Sequence, residues 1–334
     1  MARIGIPRTL AYFLYFPFCR EFFGSLGHEV VTSPPTSKLI LDEGMKEAVS
    51  EACIPIKVFH GHVKSLIGQV DYIFAPRLVS LRKFGDFGTE TFCPKFLGLP
   101  DMLKASVSNL PDIIDTRIDL KRGWREIVRV GMEIGKILGA SRSKVWWALA
   151  RAQMVQKRFQ RLLLRGLMPE EAMEIVFDST STLAAFQKLQ PEFRVAVVGY
   201  PYLIYDTFLN VGLLDILRRE NVAVYTQDML SWHKLKAAVR GFPKHLFWFF
   251  SNRALEGALH FMGRKEVDGV IHVTAFACGP DAMVDRLMEL EAKKRGQIPF
   301  MSIMVDEHTG EAGIRTRIEA FVDMLRYRRA KNED

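Results

Sequence analysis

Short β-rich runs alternate with amphipathic stretches through the first third of the chain. ARIGI at 2–6, HEVVTS at 28–33 and DYIFAP at 71–76 have the apolar, β-branched character of buried strands. Between them, the aromatic run from Leu10 to Leu26, the segment SKLILDEGMKEAVSEA before Cys53 and the stretch from Ile56 to Val70 place apolar residues at helical spacing. Strands separated by helices imply parallel pairing, with the helices covering the sheet. After a further strand, PDIID at 111–115, helical periodicity runs from about Trp124 to Phe186, with breaks near Gly139 to Ser143 and at Met168-Pro169. Pro169 followed by Glu170 and Glu171 reads as a helix start, because proline fits the first turn and acids favour the positive end of the helix dipole. From Phe193 the alternation returns. It predicts strands RVAVVG (194–199), VAVYT (222–226), VDGVIHVTAF (267–276) and PFMSIMV (299–305), with helices from Asp206 to Glu220, Pro280 to Arg295 and about Ala312 to Tyr327. The pattern predicts an α/β fold: an N-terminal α/β domain over 1–116 carrying Cys53 and Cys93, a basic helical segment over 117–190, and a C-terminal α/β domain over 191–334 carrying Cys278.

Composition narrows the class without fixing the function. In 334 residues, 49% are hydrophobic and 25% charged, which excludes collagen-like, low-complexity and wholly disordered chains. Four scattered cysteines are too few for a disulfide framework and point to a reducing compartment. The opening MARIGIPRTL shows no charged region followed by an apolar one, and the apolar stretch HLFWFF at 245–250 is far shorter than a membrane span, so the chain is expected to be cytoplasmic. The net charge of +8 is local: residues 117–165 hold 13 Lys or Arg against 3 Asp or Glu. That excess suits a solvated helix surface, an acidic protein partner or an anionic substrate; no nucleic-acid module accompanies it, so nucleic acid is not expected.

In open parallel sheets ligands bind beyond the carboxyl ends of the strands, so residues there carry the candidate chemistry. Cys278 follows VIHVTAFA and precedes Gly279-Pro280 at a helix start, Cys93 lies after DYIFAP and precedes Pro94, and Cys53 stands at a helix junction two residues before Pro55. Three thiols in loops beside Gly or Pro suit an iron–sulfur or zinc site, but spacings of 40 and 185 residues form no local motif. Unrelated buried thiols account for the same pattern, and Cys19, inside FLYFPFCREFF, fits that description best. His60 and His62 diverge at i and i+2 on a helix, so packing or hydrogen bonding explains them better than a shared metal. GYPYLIYD ends a strand with Tyr200, Tyr202, Tyr205 and Asp206, either phenol donors at the functional edge or aromatic packing. DEHTGEAGIRTRIEAF at 306–321 opens the last helix, where Gly310 and Gly313 permit close backbone approach and Thr309, Arg315 and Arg317 can meet an anion. No GxxxxGK[ST] or GxGxxG is present, so ATP is expected to enter only through a partner.

Taken together in order, IGIPRTL, EACIPIKVFHGHV, DYIFAPR, CPKFLGLPD, VGYPYLIYD, AFACGPD and DEHTGEAGIRTRIEAF make the chain resemble the iron–sulfur component of the 2-hydroxyacyl-CoA dehydratase family, specifically its activase-related branch. The resemblance implies two Rossmann-like parallel-sheet domains and one 4Fe-4S cluster held by three cysteines, with one iron open. Carried over by position, the ligands are Cys53, Cys93 and Cys278, and Tyr200, Tyr202, Tyr205, Thr309 and Arg315 fall at substrate or supporting positions. It further implies an ATP-dependent activator with its own iron–sulfur cluster, which passes on one low-potential electron for dehydration or reduction of an acyl-CoA or other small substrate. The alternative is a non-catalytic partner that relays electrons. Pairing in a homodimer, or in a heterodimer with a related subunit, is also implied, and the basic helices, with Arg151 and Arg158, are the expected docking face for the activator. Too few cysteines are present for the larger cluster of the related double-cubane proteins.

Overall fold

The computed structural model describes residues 1–84, 88–178, 190–242, 245–296 and 298–333. Its strands are β1 (Arg3–Ile6), β2 (Glu29–Thr32), β3 (Tyr72–Phe74), β4 (Arg77–Ser80), β5 (Asp112–Ile114), β6 (Arg117–Asp119), β7 (Phe193–Gly199), β8 (Val222–Tyr225), β9 (Gly269–Ala275) and β10 (Phe300–Val305). They form two four-stranded parallel sheets, β2-β1-β3-β5 and β10-β9-β7-β8, and a small parallel pair, β4-β6. The protein is thus α/β, with two Rossmann-like sheets. Both large sheets wind alike: the chain starts on an inner strand, moves to one edge, then crosses back past its start. Each has its topological switch between its first and third strands, β1 and β3 in one and β7 and β9 in the other. β9 is buried along its whole length and β7 everywhere except Arg194, as expected for strands covered by helices on both faces.

The middle of the chain is helical, as its periodicity predicts: Trp124–Ile137, Arg142–Leu163 and Pro169–Phe177. The predicted continuation towards Phe186 lies outside the described residues. The long helix Arg142–Leu163 packs along the aromatic helix Tyr12–Ser25, which contains Pro17. Proline in a helix interior removes one backbone donor and crowds the preceding turn, so a neighbour must repair the opened ladder. Gln156 does this: its Oε1 accepts from Phe18 N at 3.2 Å and its Nε2 donates to Leu14 O at 2.8 Å. One carboxamide replaces the bond that Phe18 would otherwise make to Leu14.

Three elements depart from the sequence pattern. The predicted helix over Asp206 to Glu220 is confined to Leu213–Arg219, because Asp206 draws the Phe208 and Leu209 amides into a turn and Val211 and Gly212 take left-handed backbone. Around HLFWFF, where only a short apolar run is legible, the chain forms the helix Phe249–Gly263. It is buried on nearly every side, so it lacks the polar face that would betray a helix. The β4-β6 pair was also invisible, since strands of three and four residues leave little alternation to read.

Two devices fix the helices that matter for function. The helices Lys38–Glu47 and Ile54–Leu66 cross with backbones in contact: a Cβ on Gly44 would stand 1.8 Å from Lys57 O, and one on Gly61 would stand 1.8 Å from Ile40 O. On β9, buried His272 binds the helix Gly279–Arg295 through Asp285, Nδ1 to Oδ1 at 2.6 Å, and through Asp281, Nε2 to Oδ1 at 3.4 Å. Burial opposes charge on this imidazole, but the two carboxylates outweigh it and raise His272 to about 9.

Gln156→Leu strands two backbone groups at the Pro17 break and should cost about 2–6 kcal/mol in urea unfolding, at about 1–3 kcal/mol for each unmet group. A loss under about 1 kcal/mol would show that the carboxamide does not mend the helix. Because the folded His272 titrates above its ordinary 6.5, its contribution to stability is complete below about 6.5 and disappears as pH rises through about 9. Denaturant titrations should therefore show the wild type and His272→Gln converging in stability between pH 6.5 and 9; a constant gap would contradict the charged imidazole.

Candidate functional site

Three helices begin at cysteines. Cys53 is the N-cap of Ile54–Leu66, Cys93 of the single turn Pro94–Leu97, and Cys278 of Gly279–Arg295; each has proline within its first two helical positions. Sequence reasoning places only Cys278 at a helix start, yet the shared signal was visible, a proline one or two residues after each thiol. Cys53 and Cys93 have nearly the same extended backbone, φ −65° and ψ 152° against φ −64° and ψ 157°. Ala277, just before Cys278, is left-handed at φ 61°, a conformation costing a non-glycine residue about 1–2 kcal/mol, so the turn that presents this thiol is strained. A helix N-terminus offers unpaired N–H groups and favours a thiolate. No sulfur makes a well-formed capping hydrogen bond, yet the third amide of each helix, Ile56, Phe96 or Asp281, faces its sulfur and favours the thiolate.

Electrostatic coupling links these sulfurs: Cys53 acts on Cys93, and both act on Cys278. Burial pushes the Cys53 thiol up, against the Lys95 ammonium and the N–H groups of Ile56 and Cys53. Burial also raises Cys93, opposed by the Phe96 N–H and reinforced by Cys53. Cys278 is pushed up to about 12, first by burial, then by Asp281, with Cys53 and Cys93 adding to it. Two tyrosines belong to the same cluster. Tyr200 lies well above its ordinary value through burial, then Asp281, Cys278 and Cys93; Tyr202 does so through burial, then Cys278, Tyr200, Cys93 and Cys53. Their rings meet edge to face at 5.6 Å, and Tyr200 Oη lies 2.7 Å from Ser251 Oγ. The junction between helices Lys38–Glu47 and Ile54–Leu66 and the loops after β4, β7 and β9 thus supply electrostatically coupled thiols and phenols. A buried ion pair, Lys57 Nζ to Glu307 Oε1 at 2.7 Å, ties the Cys53 helix to the loop after β10.

Other predicted residues are engaged elsewhere. Tyr205 hydrogen-bonds Thr226 at 2.7 Å and Asp228 at 2.9 Å, and none of the cysteines influences it. Thr309 closes a local turn with Asp306, accepting from its amide and donating to its carboxylate, each at 2.8 Å. Arg315 pairs with Glu311 on its own helix at 2.5 Å, and Arg317 donates to Ser302 O at 2.6 Å. His60 Nδ1 lies 2.8 Å from Ile56 O and His62 Nε2 lies 3.0 Å from Thr36 Oγ1, so both serve packing. Cys19 is inside the aromatic helix, raised to about 12 by burial. Of the two arginines expected in docking, Arg151 binds Glu21 at 2.6 Å and Arg158 donates to Ile175 O at 3.0 Å, so both hold the helices together. Sequence reasoning missed Lys95, the cation beside Cys53, and Asp281. Asp281 is wholly buried in the first turn after Cys278, and neither carboxylate oxygen has a hydrogen-bond partner.

Among the described residues, no group of three or more His, Cys, Asp or Glu side chains is arranged to hold a single metal ion. The three thiols are coupled without forming such a group: Cys53 raises Cys93, and both raise Cys278. No helix among the described residues is long and apolar enough to cross a membrane.

Comparison with known proteins assigns the family. The chain matches the model of a CoA enzyme activase uncharacterised domain over residues 3–230, and that of the 2-hydroxyglutaryl-CoA dehydratase D-component over residues 153–325. No curated protein matches it. Among solved structures, an FpvC mutant from Pseudomonas aeruginosa aligns at 14% identity over 97% of this chain and 99% of its own, with a TM-score of 0.27. ZnuA aligns at 11% identity over 96% and 97%, with a TM-score of 0.29. Neither structural likeness is close enough to carry an argument. The two family models together span the sheets, the helices and all three N-capping cysteines, and the chain belongs to the 2-hydroxyacyl-CoA dehydratase family.

Proposed function

We propose that Cys53, Cys93 and Cys278 hold one 4Fe-4S cluster, and that the protein is a redox component accepting a low-potential electron from an ATP-dependent activator for dehydration or reduction of a small acyl thioester. The observation that carries this reading is the meeting of three helix-capping thiols from three distant parts of the chain. When bound, such a cluster supplies an electron at low potential and an open iron that can accept a substrate oxygen. The chain's own groups do the rest. Lys95 and the helix N-termini offset the negative charge of the thiolates. Tyr200 and Tyr202, kept protonated by burial, remain O–H donors at neutral pH for a substrate carbonyl or hydroxyl. Tyr205, Thr309 and Arg315 support the surrounding loops rather than the substrate.

The activator is proposed to meet the exposed basic helices. Arg122, Arg125, Lys136, Arg142, Lys157 and Arg161 are exposed and, among the described residues, have no acidic partner, which leaves their charge available to an acidic protein surface. The same face supports the second reading, a non-catalytic relay, since docking and electron passage need no substrate.

Anaerobically purified protein should contain about four iron and four acid-labile sulfide per chain. Serine at any one of Cys53, Cys93 or Cys278 should remove most of both, while Cys19→Ser should leave them unchanged. Protein that stays iron-free after anaerobic reconstitution would refute the cluster. A change in the reduced protein's electron paramagnetic resonance spectrum on adding a 2-hydroxyacyl thioester would favour turnover over relay, and an unchanged spectrum the reverse.

A further inference from the structure

A cavity of about 280 Å³ opens at the carboxyl edge of the first sheet. It occupies the switch crevice between β1 and β3, with Ile6 and Ala75 at its base, the kinked helix at Phe16 and Phe22 on one side, and Val130 and Leu149 on the other. The volume is several times the share of one water molecule and close to the lower bound of small-molecule sites. None of Cys53, Cys93, Cys278, Tyr200 and Tyr202 lines it, while Phe59 and Phe96 of the Cys53 and Cys93 helices do, so the cavity adjoins the thiols without including them.

The lining specifies the ligand. Among the described residues it contains no Asp, Glu, Lys, Arg or His, and nearly all of it is aliphatic or aromatic. Inside this apolar wall, Thr9 is 2% exposed and its Oγ1 has no hydrogen-bond partner. A buried hydroxyl left unpaired is costly, and a ligand oxygen that the Thr9 side chain turned to meet would satisfy it. Gln156 also lines the cavity but is committed to Phe18 and Leu14, and the other polar groups of the lining are the Tyr12 and Tyr15 phenols, the Cys19 thiol, Gln153 and Gln160, all uncharged; of these and Thr9, Thr9 is the one whose buried oxygen is left without a partner. A carboxylate or phosphate would enter without a counter-charge, which a medium of this kind penalises heavily.

We propose that this cavity binds a neutral aliphatic chain ending in an uncharged oxygen, alcohol or carbonyl, with that oxygen at Thr9. A free lipid alcohol and the acyl end of a thioester share this chemistry. The test titrates diphenylhexatriene, an apolar fluorophore without polar atoms, into the full chain and displaces it with 1-decanol, decanoate or the decanoyl thioester of N-acetylcysteamine. Saturable binding of about one fluorophore per chain is expected, with decanol displacing it at concentrations at least about tenfold below those of decanoate. Thr9→Val should weaken decanol about tenfold while leaving the fluorophore unaffected, which also reports that the variant is folded. Tighter binding of the thioester would identify an acyl chain as the guest, and tighter binding of decanol a free alcohol. Failure of the fluorophore to saturate, decanoate displacing it as well as decanol, or an unchanged decanol affinity in Thr9→Val would each overturn the proposal. Because Cys278→Ser protein should bind decanol as the wild type does, a missing cluster and a missing lipid site give different results.

Discussion

Three thiols have to be gathered where water is scarce, and burial resists the charged form of each. Every one of them is raised by its surroundings, and each of Cys93 and Cys278 is raised further by its neighbours. A protein that keeps such a cluster must supply positive potential without filling the space with bulky cations. Starting a helix at each cysteine does this, because first-turn N–H groups, those of Ile56, Phe96 and Asp281, act on the sulfur and lower its pKa. Proline in each first turn fixes the backbone there and removes an N–H that would otherwise need an acceptor.

Several contacts of the fold position those three coupled helix starts. The second sheet delivers Cys278 and Tyr200 from the two strands flanking its switch, and the His272 pairing fixes the helix that Cys278 begins. Backbone contact at Gly44 and Gly61 sets the Cys53 helix, and Lys57 with Glu307 joins that helix to the other sheet. Further off, Gln156 bonds Phe18 N and Leu14 O where Pro17 stands inside the aromatic helix, so neither group is left bare in an apolar interior. Phe16 and Phe18, on either side of Pro17, line the neutral cavity, so one sequence feature bears on both the packing and the space left for a guest.

Much of this was legible in the sequence because it depends on local pattern. Alternating strands and helices announced the α/β class, and Cys93 and Cys278 were read after predicted strands and Cys53 at a helix junction, each followed by a proline. What stayed hidden depends on contacts between distant residues. Helix Phe249–Gly263 escaped because burial on all sides erases amphipathic period. Asp281 looked like an ordinary acid in a first turn, and only the packing shows it to be wholly buried and ion-paired with His272. Arg151 and Arg158 looked like free surface charge because Glu21 and the Ile175 carbonyl lie 130 and 17 residues away. The convergence of the thiols is likewise a property of two sheets brought together.

The central claim is that three cysteines, and no fourth, anchor the proposed cluster. A Mössbauer spectrum of protein reconstituted with 57Fe tests it directly, because an iron lacking a thiolate differs from irons that have one. The account predicts one iron site in four with distinct parameters, shifting when a small oxygen ligand is added. Four equivalent thiolate-bound sites, or a signal from isolated iron alone, would contradict it.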